Sequence, residues 1–331
     1  MLFPGSQLCP DCESPELTVH SRYDTQSNGP RCIYQCQCCG VRFSETAGTP
    51  MENLKTPLSK IASAIALRSE GMGLRATGRL LGVSKREVTT WEKRFASQKA
   101  ALKLYARVHE FLKLTFEADE VYTRVGQNLP PEDSEGWTMV VMERASRYLA
   151  ELDCGTKDQA LFERVLENLI QLSSQDIHFF SDGERRYSQT LFQLCQQWIV
   201  QDGQAQKTLP DGLQVRLKNK GSREAENPRP KYETPVPHAP GTGQIEDAEI
   251  HANHVEAYNA SIRRRCSPMR RRTNTYAKNR PGLQRALDSH WIIHNFVRPH
   301  FTTGKIPAVA LGVHDQGFTV SELLMMRPLA S

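Results

Sequence analysis

Three acidic residues that lie far apart in the sequence have the surroundings expected of ligands for a divalent cation. Asp119 falls within "LTFEADEVYTRV" and Asp182 ends "IHFFSD", and both stretches have the composition of β-strands. Glu256 stands at the head of an arginine-rich run, because residues 257–287 contain nine Lys or Arg and no acid. Carboxylate oxygens are hard ligands that suit Mg²⁺ or Mn²⁺, and two such ions about 3.5–4 Å apart serve phosphodiester chemistry.

The elements around the two aspartates are expected to bring them together. Three strands between residues 114 and 155 form an antiparallel meander, followed by a helix, the strand that ends in Asp182, and a second helix that extends through Trp198 and Ile199. This is the order of a ribonuclease-H-like α/β core with a mixed five-stranded sheet, in which the first and fourth strands are neighbours. Two carboxylates on adjacent strands repel each other, and a divalent cation relieves that repulsion.

The glutamate is expected on a helix over about 248–265. Asn253, Glu256, Asn259 and Arg263 are spaced by three, three and four residues, so they share one face of that helix. Glu256 then points at the metal ions, while arginines near the end of the helix contact DNA phosphates. These arginines are Arg263, Arg264, Arg265, Arg270, Arg271 and Arg272. A capping or salt-bridged glutamate is the alternative.

The amino-terminal 50 residues contain two Cys-x-x-Cys pairs. Cys9 and Cys12 form the first, and Cys36 and Cys39 the second, so four thiolates are available for tetrahedral Zn²⁺. Cys32 and Cys38 are surplus, and either could replace a neighbour; Gly40 favours the set with Cys36 and Cys39 because it suits a tight turn. A redox pair is the alternative, but it leaves the other pair unexplained.

A helix-turn-helix is predicted in the basic segment "LRATGRLLGVSKREVTTWEKRF" (74–95). Ser84 and Glu87 have the spacing of a capping box, and Val88, Trp91 and Phe95 form a buried stripe. The opposite face carries the candidate DNA contacts, which are Lys85, Arg86, Thr89, Thr90 and Lys93. An ordinary helical bundle with a basic face is the alternative.

Composition and charge set the broad class. A chain of 331 residues with 39% hydrophobic residues can form two or three globular units. No leader segment and no apolar run near 20 residues is seen, so a cytoplasmic, nucleoid-associated protein without a membrane partner is expected. In that reducing setting, nine cysteines favour metal ligation over disulfides. Residues 115–183 contain fourteen acidic and five basic residues, and basic segments lie on both sides of them. This charge distribution favours a protein that binds a polyanion beside a cation site. The alternative is that the charged residues simply form solvent-exposed helix faces.

With these residues together, the chain resembles the DDE transposases of bacterial insertion sequences, in the broad group typified by insertion sequence one. The resemblance runs nearly end to end and includes "YQCQCCGVRFSETAGTP", "ADEVYT" and "FFSDGERRY". Its most specific parts are "HANHVEAYNASIRRRCSPMRRRTNTYAKN" and "HWIIHNFVRPHFTTGKIPAVALGV".

The resemblance implies a site and a reaction. Asp119, Asp182 and Glu256 would form a metal-binding triad, with Asn259 and Arg263 helping to position double-stranded DNA. Cleavage that depends on Mg²⁺ or Mn²⁺ would expose a 3′-hydroxyl at each end of the element, and that hydroxyl would attack target DNA. Pairing of the two ends implies a homo-oligomer.

The expected organisation has four parts. They are a zinc ribbon (1–50), a helix-turn-helix domain (51–112), a ribonuclease-H-like catalytic domain (113–310) with a proline-rich insertion (219–247), and a carboxyl-terminal tail (311–331).

Two other functions compete with that of a transposase. One is a catalytically silent DNA-binding regulator derived from a transposase, which has no physical reason to keep three such acids. The other is a ribonuclease-H-like nuclease, which leaves the two amino-terminal modules unexplained. Three nearby acids, Glu117, Glu120 and Glu249, lack the combined position and flanking residues of the triad.

Overall fold

The computed structural model describes residues 8–109, 111–182, 184–201, 204–209, 213–218 and 251–327. The predicted insertion at 219–247 and Glu249 lie outside these residues. Among the described helices, none is both long enough and apolar enough to cross a bilayer.

Strands come first in the chain, then helices, then an alternation of the two. The amino-terminal half contains β1 (Leu17–Thr25), β2 (Gly29–Cys36), β3 (Arg42–Ser44), α1 (Leu58–Ser69), α2 (Leu74–Leu81), α3 (Lys85–Ala96), α4 (Gln98–Arg107), β4 (Phe111–Tyr122), β5 (Trp137–Glu143) and β6 (Leu149–Gly155). The remainder contains α5 (Gln159–Ile170), β7 (Ser173–Asp182), α6 (Arg185–Cys195), β8 (Gln197–Gln201), β9 (Gln204–Thr208), β10 (Leu213–Lys218), α7 (Asn253–Arg265), α8 (Arg280–Ile292), α9 (Pro307–Leu311) and α10 (Val320–Met325).

The central sheet has five strands in the order β10-β7-β4-β5-β6. Strands β4, β5 and β6 form the predicted antiparallel meander. Strand β7 pairs in parallel with β4, and β10 pairs in parallel with β7. The protein is therefore α/β with a mixed sheet, as the sequence predicted. Helix α7 packs against β4 and β5, next to the centre of the sheet.

Three predicted element boundaries were wrong. The helix expected to extend through Trp198 and Ile199 ends at Cys195, and both residues lie on β8, which forms a separate hairpin with β9. Aromatic and β-branched neighbours favour a strand there, and Trp198 is 68% exposed where the prediction had put it on a buried helix face. The sequence also predicts a connecting helix near 98–112, but this helix ends at Arg107 because β4 begins at Phe111. The helix that carries Glu256, α7, begins at Asn253, whereas the sequence predicted a start near residue 248.

Two short helices joined by a tight turn occupy residues 74–96, as predicted. Gly82 makes the turn with a φ of +63°, a conformation that favours glycine. Ser84 caps α3, and Glu87 completes the capping box. Val88, Trp91 and Phe95 are buried, which confirms the predicted apolar stripe.

Helices α1–α4 and the central five-stranded sheet share one hydrophobic core. A single buried cluster extends from Met51 to Met326, and α3 packs directly on α8. Glu92, on the inner face of α3, is 1% exposed and accepts from Arg68 Nε at 2.8 Å and from Arg285 Nε at 2.9 Å. A buried ion-pair network therefore joins three helices of this core.

Candidate metal centres and nucleic-acid interface

The four predicted zinc ligands converge. The sulfur atoms of Cys9, Cys12, Cys36 and Cys39 lie within 4.8 Å of one another, with Cys9 Sγ 3.4 Å from Cys39 Sγ and Cys12 Sγ 3.5 Å from Cys36 Sγ. A Zn–S bond of about 2.3 Å in a tetrahedral site gives sulfur atoms about 3.8 Å apart. These distances fit Zn²⁺, so the cluster can hold such a metal ion.

Backbone turns bring the cysteines together. Gly40 has a φ of +76° and donates its N–H to the Cys36 carbonyl at 3.0 Å, which is the tight turn expected of this residue. Backbone N–H groups of Cys39 and Cys38 lower the pKa of Cys36 to about 6, whereas contacts among the crowded thiols raise the pKa of Cys12 and Cys39, so the four sulfur atoms share protons until a metal ion replaces them. Cys32 and Cys38 lie outside the cluster, which resolves the open choice of ligands.

We expect Cys9→Ser combined with Cys12→Ser to reduce bound zinc from one ion per chain to none. Two ligands cannot hold this segment closed. Its folding is linked to metal binding because, within described residues 8–50, its buried cluster consists of Phe43 and the two ligands Cys9 and Cys36. Metal analysis and circular dichroism measure the change. Cys38→Ser, at an exposed position outside the cluster, is the control and should retain zinc. Undiminished zinc in the double variant would contradict the assignment.

The register of the sheet puts positions 119 and 182 side by side. Ala118 pairs with Ser181 across the parallel β4–β7 boundary, and each aspartate is the next residue on its strand. Neighbouring strands are about 4.8 Å apart, so the two backbone positions are adjacent. The predicted neighbourhood of the two aspartate positions is therefore present in the backbone.

Helix α7 lies against this part of the sheet. Asn259 Nδ2 donates to Asp119 Oδ2 at 2.6 Å, and the Glu120 N–H donates to Asp119 Oδ1 at 2.9 Å. Glu256 is exposed and precedes Asn259 by three residues, so it belongs to the same helix face. Burial and the neighbouring Arg271 lower the pKa of Arg263, while the charge of Asp119 raises it, which indicates that Arg263 lies within electrostatic reach of Asp119.

A second group of possible metal ligands lies beside Asp119. Ligand atoms of Glu117, His251 and His254 are within 4.8 Å of one another. Burial would raise the pKa of Glu117, but hydrogen bonds from the His254 side chain and the Val255 N–H lower it, so the carboxylate stays ionised. This buried anion joins β4 to the start of α7.

The sequence prediction set Glu117 aside and gave His254 no role. A signal was available, because Glu117 and Asp119 are two residues apart on a strand and must share a face. For His254 no such signal was present, because residues two apart on a helix, such as His254 and Glu256, point to different faces.

The predicted DNA-contacting residues, except Asn259, are accessible on two surfaces. Asn259 was wrongly predicted as a DNA contact, because its side chain is 4% exposed and donates to Asp119. On α3, Lys85, Arg86, Thr90 and Lys93 are exposed, and Thr89 is half-buried. After Glu256, Arg264, Arg270, Arg271 and Arg272 are exposed, whereas Arg263 and Arg265 are half-buried. Both surfaces present cations to solvent, as contacts to a polyanion require.

Comparison with known proteins adds no family. A scan against protein-family models gives no match for this chain, and a search of curated proteins gives none either. Asp119 lies under α7, next to the backbone position of Asp182 and within electrostatic reach of Arg263.

Proposed function

We propose that this protein is a DDE transposase that binds the ends of its insertion sequence and catalyses strand cleavage and strand transfer. The observation that supports this most is the combination of the Ala118–Ser181 pairing with the Asn259–Asp119 hydrogen bond. Asp119 and Asp182 follow directly on the paired residues, and Glu256 belongs to the helix that Asn259 attaches to Asp119. The strand order is also the one expected of a ribonuclease-H-like core.

The donor chemistry around Asp119 fits Mg²⁺ or Mn²⁺. Asp119 Oδ2 accepts from Asn259 Nδ2 and Oδ1 accepts from the Glu120 N–H, and both are hard carboxylate oxygens of the kind that Mg²⁺ prefers. Among the described residues, the buried Asn259 Oδ1 lacks a hydrogen-bond partner, and a hydrated cation would supply one. Asp119, Asp182 and Glu256 would hold the metal ions, which supply Lewis-acid activation of the attacking oxygen and stabilise the departing one.

The remaining residues bind and orient DNA. The exposed side chains on α3 suit the major groove of a duplex, as those of a recognition helix do. Arg263 and the arginines after it suit the phosphates near the cleavage position, because they follow Glu256 on the same helix and its extension. Asn259 holds Asp119 in place through a hydrogen bond of 2.6 Å.

The test is a cleavage reaction with the purified chain and duplexes that carry the ends flanking its gene. A transposase should release a 3′-hydroxyl at the element boundary when Mg²⁺ is present, and EDTA should stop the reaction. Binding without cleavage at any divalent metal concentration would instead support the silent regulator. Equal cleavage of unrelated duplexes would support a general nuclease.

Replacing Arg263, Arg264 and Arg265 with Ala should weaken end binding and flatten its salt dependence. Each phosphate contact that is lost reduces the slope of log K against log salt by about 0.9. Fluorescence anisotropy between low and moderate salt measures the slope. Arg164→Ala is the control and should leave the slope unchanged. Arg164 lies on α5 and pairs with Asp153 of β6. An unchanged slope in the triple variant would count against phosphate contact.

A further inference from the structure

Helix α7 begins without a cap of its own. Its N-cap residue is Ala252, which has no side-chain acceptor, although the first N–H groups of a helix need acceptors. The acceptor comes from the sheet, because Glu117 Oε2 accepts from the His254 N–H at 2.9 Å and from the Val255 N–H at 3.1 Å. A strand residue more than 130 positions upstream therefore caps this helix.

The other oxygen of the same carboxylate is also occupied. Glu117 Oε1 accepts from His254 Nδ1 at 2.7 Å and from Arg144 Nε at 2.7 Å. Arg144 also donates through Nη2 to the His251 carbonyl at 2.7 Å, which secures the residue just before the helix. Four donors match the four acceptor sites of a carboxylate. Glu117 is therefore fully hydrogen-bonded, and His251 Nδ1 also lies 3.5 Å from its Oε1. Glu117, Arg144, His251 and His254 together form a clamp between two elements.

The clamp lies next to the residues assigned to catalysis. Glu117 precedes Asp119 by two residues on β4, and His254 precedes Glu256 by two residues on α7. Asn259 bonds to Asp119 on the other side of Glu256 along the helix. Two attachments to one strand therefore bracket the turn of helix that carries the glutamate.

We propose that Glu117 is a positioning residue that sets the separation between Glu256 and Asp119, and thereby the affinity of the site for its divalent cation. This inference rests on the proposed function. Glu117 does not touch the metal or the DNA; it acts through the first turn of α7. Its buried charge is kept ionised by Arg144 and by the helix N–H groups, and the positive end of the helix dipole adds to that stabilisation.

Glu117→Gln tests the proposal, because the amide NH₂ would face the donors of Arg144 and His254. We expect the His254 and Val255 amides to exchange hydrogen faster, as measured by exchange and mass spectrometry. Mn²⁺ binding, measured by electron paramagnetic resonance with the metal alone, should weaken by about 10- to 100-fold, as is typical when a residue that orients a metal ligand is lost. The Mg²⁺ concentration for half-maximal end cleavage should rise equally, and end binding should not change.

Glu151→Gln is the matched control. Glu151 is also a buried carboxylate paired with cations, Lys99 and Lys103, but it lies on β6, away from α7. It should lose stability while keeping the wild-type metal dependence, which separates positioning from general destabilisation. If Glu117→Gln does not fold, Arg144→Gln removes the guanidinium that donates to Glu117 and to the His251 carbonyl, and it should shift the metal dependence in the same direction.

The outcomes separate the two proposals. Wild-type protein that cleaves ends, together with a folded Glu117→Gln or Arg144→Gln that keeps the wild-type Mn²⁺ affinity, would overturn the role of Glu117 and leave the proposed function standing. Wild-type protein that neither binds Mn²⁺ nor cleaves ends would overturn both.

Discussion

Asp119→Asn or Asp182→Asn should reduce Mg²⁺-dependent end cleavage at least about a thousandfold while leaving end binding essentially unchanged. Each substitution removes a negative charge from the proposed cation site. Metal ions contribute several kcal/mol of transition-state stabilisation in such reactions, and each 1.36 kcal/mol corresponds to a tenfold change in rate. Glu256→Gln should behave similarly. The cleavage rate is measured by single-turnover release of labelled strand, and binding by anisotropy.

Asp153→Asn is the control for these aspartate variants. Asp153 lies on β6 and pairs with Arg164 at 3.0 Å, on a strand that does not contact α7 through any of the bonds described above. Its replacement should leave cleavage intact. Wild-type cleavage rates in Asp119→Asn would refute the triad, whereas a loss of binding together with cleavage would point to misfolding.

Glu92→Ala should reduce the free energy of unfolding by about 3–5 kcal/mol, because it leaves two guanidinium groups without their anion in a buried setting. Arg68 is 7% exposed, and its Nε bonds to Glu92 at 2.8 Å; Arg285 bonds to the other carboxylate oxygen at 2.9 Å. The loss is measured by urea denaturation followed by intrinsic fluorescence, in which Trp91 on the same helix reports unfolding.

Glu87→Ala provides the comparison on the same helix. Glu87 is exposed and completes the capping box of α3 with Ser84, so its replacement should cost only about 0.5–2 kcal/mol. Equal losses in Glu92→Ala and Glu87→Ala would mean that the buried ion pairs add nothing beyond the local helix. A larger loss in Glu92→Ala is the expected result.

Local sequence patterns predicted much of the fold. Alternation of apolar residues and turn residues predicted the strands that became β4, β5, β6 and β7, and the Ser84–Glu87 spacing predicted the start of α3. The cysteine spacing predicted the four cysteines that converge, because the turn at Gly40 is itself local. Each of these signals acts over a few residues, where the side chain and the backbone conformation determine each other.

Contacts between distant segments were not predictable in the same way. The four bonds of Glu117 depend on α7 reaching β4, and no pattern near residue 117 specifies its partners. Trp198 was assigned to a helix from apolar spacing, yet pairing with β9 gave a hairpin instead. The triad stays a prediction. The structure places the backbone of Asp182 beside that of Asp119 and describes contacts of the Asp119 side chain.

The shared core has a consequence for engineering. Trp91 and Phe95 belong to the same buried apolar cluster as the residues that pack against the sheet. Glu92 on the same helix forms a buried ion pair with Arg285 of α8. A polypeptide consisting of residues 51–112 alone would expose these side chains and should aggregate. The two helices over residues 74–96 therefore cannot be moved into another protein as an independent unit. A new DNA-binding preference would have to be introduced by changing exposed side chains of α3 one at a time.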